Sequence, residues 1–125
     1  MEAKRAAVVD GRLGELVHTA GSIDAITSEL VMAAAAEGDL DAIAVLDHFA
    51  MWMAAGLANL TNAFDPARFV IGGGVSMAAA VFEPALRRHM AERVYASDLR
   101  AQPEIRFAEL GERAGAIGAA LYGAR

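Results

Sequence analysis

At 125 residues the chain is one domain's worth, long enough to bury about two thirds of the surface its unfolded form exposes. Its 56% apolar content, low aromatic share and abundant alanine describe a helix-leaning globular protein and exclude a disordered one. A net charge of −5 without any Lys/Arg block argues against duplex nucleic acid as a partner, and the lack of cysteine removes disulfides, thiolate zinc sites and thiol catalysis together.

Met1 to Arg5 is followed by only Ala6 to Val9 before Asp10, too short an apolar run for a signal peptide. With no cysteine present, a reducing cytoplasm is the expected setting. Glu2 to Val9 reads as a helix closed by Asp10-Gly11, or as one arm of a hairpin turning on the same pair. Arg12 to Ser22 has no clean period and reads as loop. Asp24 to Glu37 is expected as a helix, with Ile26, Leu30 and Ala33 on one face and Gly38 ending it.

Asp39 is the expected N-cap of the next helix. Ile43, Leu46, Ala50, Met53, Leu57, Leu60 and Phe64 recur at spacings of three and four, so this long seam should face a core or another helix. Val45, Phe49, Trp52 and Gly56 make a second apolar stripe beside it. A helix apolar over so much of its circumference needs packing on two sides, which hints at an interface or a missing neighbour. Asp47 and His48 lie inside this region, which is therefore not expected to span a membrane.

Asp65-Pro66 stops that helix, and Arg68 to Ile71 reads as a strand buried on both faces, as in a parallel sheet covered by helices. Glu83-Pro84 suits the first turn of a helix running to about Tyr95. Gln102-Pro103 breaks the chain before a second strand formed by Ile105, Phe107 and Ala108 with Arg106 and Glu109. Arg113 to Tyr122 is the last helix, and its small residues require very close approach to something. The order is α-α-α-β-α-β-α, an α/β arrangement. Two strands are too few to cover so many apolar helix faces, so as a self-contained fold it is incomplete.

Chemistry concentrates between the first strand and the helix after it, at Gly72-Gly73-Gly74-Val75-Ser76. Glycines let a flat ligand or a phosphate lie against the main chain, because no Cβ intervenes. The run fails the dinucleotide fingerprint, with Met77 at the third glycine position, and lacks the Gly-Lys-Ser/Thr of a phosphate loop. Taken alone it is either a tight structural turn or a ligand-facing one, and Ser76 either donates a hydrogen bond or caps the next helix. His18, His48 and His89 have no second ligand at metal-binding spacing. Asp47-His48 and Asp39/Asp41 point apart on a helix, so surface and capping roles suit them better than acid–base chemistry. Met32, Met51, Met53 and Met77 are most simply core filler.

Several segments stand in a telling order: Ala35-Ala36-Glu37-Gly38-Asp39, Gly56 to Leu60, Phe64-Asp65-Pro66, Val70 to Val75, and Leu110-Gly111-Glu112-Arg113-Ala114-Gly115 on to Ala120. Together they resemble the C-terminal portion of the ROK family, which contains bacterial glucokinases, other sugar kinases and sugar-responsive repressors. Phe69 to Ser76 looks most like the glucokinase branch. The resemblance covers residues 1–125 as a single domain, firmly from about Asp24 onward.

This resemblance implies a partial ribonuclease H-like, actin-type ATPase fold whose other, N-terminal half is absent. It also implies that ATP, with Mg in the complete kinase, is the cofactor. The strand-Gly-Gly turn of the family approaches adenosine, which here falls on Gly72, Gly73 and Gly74, with Val75 and Ser76 close by. The long helix and the last helix would share in subunit contact, making a homodimer. The family's Asp-Gly-Gly-Thr phosphate motif, its Asn-Asp catalytic pair, its Glu-x-Gly-His sugar motif and its zinc-binding cysteines have no counterpart in this sequence. No catalytic residue and no metal ligand is therefore expected. The leading reading is the adenosine-binding portion of an ATP-dependent hexose kinase, inactive alone. The alternatives are a stand-alone homodimeric interaction module, or the effector domain of a ROK repressor, whose helix-turn-helix module is not in the sequence.

Overall fold

The computed structural model describes residues 14–73, 75 and 79–124. It divides into two compact units, Met1–Trp52 and Met53–Arg125. The expected Glu2–Val9 helix lies outside the described residues.

In the first unit, Gly14–Ala20 is a helix (α1), where the sequence suggested a loop. At seven residues it is too short to display a period, and its stop signal is Gly21, whose left-handed φ of 79° lets its N–H reach the Val17 carbonyl at 2.9 Å. The next helix, Ser28–Ala36 (α2), starts later than Asp24, because the Thr27 hydroxyl caps it by accepting from the Leu30 N–H. Its buried residues are Val31 and Ala35, with Ile26 just ahead of it; Leu30 and Ala33 are exposed. Gly38 and Asp39 end α2 in a Schellman motif, the N–H of Gly38 bonding to Ala35 and that of Asp39 to Ala34. Only glycine adopts the required φ of 95° without strain. Asp39 then starts the following helix, its Oδ1 accepting from the Ala42 N–H at 2.8 Å, as the sequence led one to expect.

That helix, Leu40–Phe64 (α3), runs for 25 residues and passes from the first unit into the second. Of the Ile43–Phe64 seam only Ala50 is fully buried, and the buried line runs through Ala42, Ala50, Ala54, Ala58 and Thr61. Small side chains occupy the covered side, and Ile43, Leu60 and Phe64 of the expected seam are exposed. The second stripe, Val45, Phe49, Trp52 and Gly56, lies to one side of the buried line, with Trp52 65% exposed. By length and composition α3 could cross a membrane, a property shared by core helices of soluble proteins. The Thr61 hydroxyl, fully buried, donates to the Leu57 carbonyl at 2.8 Å and so escapes an unpaired polar group.

In the second unit, Arg68–Ile71 (β1) and Glu104–Phe107 (β2) pair in parallel, Arg68 opposite Glu104 and Ile71 opposite Phe107. β1 is not buried on both faces. Phe69 and Ile71 are half-buried, whereas Arg68 is exposed and Val70 is 68% exposed. The open face carries a charged ladder, Arg68 to Glu104 at 2.6 Å and Glu104 to Arg106. The Arg106 guanidinium first, and Arg68 second, hold the Glu104 carboxyl below the usual carboxylate range. Among the described residues the sheet has only these two strands, so each keeps one unpaired edge.

Ala79–Ala91 (α4) covers the crossover, burying Phe82, Leu86 and Met90 at four-residue intervals. Pro84 sits inside this helix and not in its first turn, and the helix ends at Ala91, short of Tyr95. Arg87 ties α4 to the sheet, its guanidinium donating to the Ile105 carbonyl at 3.3 Å while pairing with Glu83. The connection to β2 is fastened to the end of α3: Asn62 accepts from the Tyr95 N–H at 2.9 Å and Arg100 pairs with Asp65. Ala114–Gly123 (α5) closes the chain with no buried residue. An added Cβ at Gly115 or Gly118 would meet nothing within 4 Å, so the close neighbour that the small residues suggested is not found among the described residues.

Candidate functional site

Both strands of the second unit run the same way, so their carboxyl ends open on one side, where the chain turns off into helices. Ligands of parallel α/β sheets bind at such ends. The first turn leaves β1 through Gly72 and Gly73. The second leaves β2 through Ala108 and reaches α5 by way of a single 3-10 turn, Gly111–Arg113. The two are laced together: the Ala108 N–H donates to the Ile71 carbonyl at 2.8 Å, carrying the ladder one residue past β2. A Cβ at Gly72 would stand 3.7 Å from that of Ala108, so the turns lie in side-chain contact distance.

Gly73 has a φ of +82°, a conformation that only glycine holds cheaply, and nothing stands within 4 Å of where its Cβ would be. Val75, next among the described residues, is half-buried. Gly74 and Ser76, the other two candidates, lie outside the described residues. The structure thus brings Gly72 and Gly73 together with Ala108, which the sequence reading passed over. Ala108 carries no motif of its own, and its place depends on the register of β2 against β1.

The side chains about this opening are short and uncharged at Val75 and Ala108, and Glu109 is acidic. Such a surface suits the face of an uncharged ring better than phosphate groups, which call for cations or a run of free N–H groups. Glu104, whose carboxyl is held low by Arg106 and Arg68, lies at the opposite end of β2. The arrangement leaves room for a flat group beside the turn.

A parallel βα pair with a glycine turn at the carboxyl end of β1 places the chain in the α/β class. The ROK family model matches residues 12–124, and the chain belongs to the ROK family. It is 39% identical over 94 residues to a glucokinase of Halalkalibacterium halodurans, a match covering 74% of this chain and 28% of that protein. A glucokinase of Streptomyces coelicolor is 32% identical over 100 residues, covering 80% of this chain and 32% of its relative. The chain therefore spans about a third of the length of the curated relatives it matches. Among solved structures, a ROK family glucokinase from Streptomyces griseus, in complex with glucose and AMPPNP, superposes with a TM-score of 0.85 at 32% identity, over 96% of this chain and 39% of that one.

Proposed function

We propose that these residues form the adenosine-binding portion of an ATP-dependent hexose kinase of the glucokinase type, acting as one domain in the cytoplasm. Gly72, Gly73, Gly74, Val75 and Ser76 would hold the base and ribose, with Ala108 bounding the other side. The observation that carries this reading is the open, glycine-lined turn held beside Ala108. The likeness to a glucokinase bound to an ATP analogue supports it. Bound ATP, with its Mg, supplies the phosphoryl group; this chain's own part is to position the nucleoside and shield it from water. Because the sequence holds none of the family's phosphate, sugar or base motifs, the 125 residues expressed alone would not phosphorylate glucose. The stripe Val45, Phe49, Trp52 and Gly56 on α3, half-buried at Val45 and exposed at the other three, is proposed as the contact with a second copy.

One purified sample tests the site. Mg-ATP at about 100 times its dissociation constant should add about 2.7 kcal/mol of stability, raising the melting temperature by roughly 10 °C. The same sample should convert no glucose. A cooperative melt indifferent to nucleotide would favour the interaction module instead. Glucose phosphorylation by the pure chain would show that phosphate and base functions are housed in these residues after all.

A further inference from the structure

His48 and Trp52 stand one helical turn apart on α3, both on its exposed side. The indole Nε1 lies 3.3 Å from the imidazole Nε2, and the rings meet edge-on, with centroids 6.3 Å apart and planes at 86°. An indole nitrogen can only donate a hydrogen bond. Nε2 of His48 must therefore accept, which puts the proton of the neutral ring on Nδ1. A charged imidazolium has hydrogens on both nitrogens and no acceptor left. The bond cannot survive protonation, since two N–H groups would then point at each other. A cation is instead attracted to the face of an indole, an arrangement that the present edge-on geometry does not provide. Adding one proton thus exchanges one placement of the Trp52 ring for another.

We propose that His48 and Trp52 form a proton-operated latch, which holds the indole against the helix in the apolar stripe of α3 when His48 is neutral and releases it when His48 is charged. His48 is exposed, so the proton exchanges without any opening of the fold. The ionisable groups near it on the helix are Asp47, the preceding residue, and Asp41, about two turns back on the same side. Trp52 belongs to the stripe proposed above as the contact with a second copy, so the latch makes that contact acid-sensitive; this consequence rests on that reading.

The chain has a single tryptophan, so its fluorescence reports on Trp52 and its surroundings. The emission of the intact chain should change in one step between about pH 5 and 8, while circular dichroism stays constant. His48→Gln keeps an acceptor one turn from the indole but cannot titrate, and should hold the neutral-pH spectrum throughout. Asp47→Asn and Asp41→Asn should titrate as the wild type does. Flat wild-type emission, or a His48→Gln protein that titrates like the wild type, would overturn the latch. Light scattering across the same interval separates the two readings. Loss of a dimer in acid supports the coupled proposal, whereas a monomer at every pH with a titrating indole removes the dimer contact and leaves the latch standing.

Discussion

Replacing Phe82 by alanine should cost about 3–5 kcal/mol, enough to lower the melting temperature by roughly 10–20 °C. Phe82 is 1% exposed and leads the line Phe82, Leu86 and Met90 that α4 turns inward. Native stabilities are commonly about 5–15 kcal/mol, so this one truncation would remove a large part of the total. Phe64→Ala is the matched control. That ring is 76% exposed at the end of α3, and its loss should stay within about 0.5 kcal/mol. Urea melts of the two variants read the contrast directly. Equal losses would mean that α4 does not bury the face described.

The second large effect is on nucleotide. Gly73→Val should at least halve the melting shift produced by Mg-ATP, weakening nucleotide binding tenfold or more, about 1.4 kcal/mol. A valine forced to a φ of +82° costs about 1–2 kcal/mol in backbone strain, and its branched side chain would fill the space left open beside the turn. Gly118→Ala serves as its control, being a glycine on the exposed helix α5 with open space where a Cβ would go. That change should add up to about 1 kcal/mol by raising helix propensity, and it should leave the nucleotide shift intact. A Gly73→Val protein that keeps the full shift would move the adenosine site away from β1.

Much of the second unit could be read from residue order. Pro66 and Gly72 bracket Arg68–Ile71, so β1 falls where the apolar run between two breakers puts it. The reading fared worse where two signals competed. Pro84 looked like a helix start, yet Ala79 to Glu83 are already helical, and the hydrogen bond that proline forgoes is tolerated inside α4. On α3 two apolar stripes offered themselves, and neither is the covered line. Ala50 of the first is buried, together with Ala42, Ala54, Ala58 and Thr61, which lay in neither stripe. The candidate site divided in the same way: the glycines were visible, and Ala108 was not.

Residue order by itself determined the succession α-α-β-α-β-α from Ser28 onward, the cap at Asp39 and the glycine turn after β1, together with the motifs by which the chain belongs to its family. These are local matters, settled by capping bonds and backbone angles within about four residues. Tertiary structure alone decided which side of α3 is covered, that β2 pairs with β1 in the register that sets Arg68 opposite Glu104, and that Ala108 lies beside Gly72. The physical reason is distance along the chain. Arg68 and Glu104 are 36 residues apart, and a hydrophobic period records that a helix has apolar faces without recording what each face will meet.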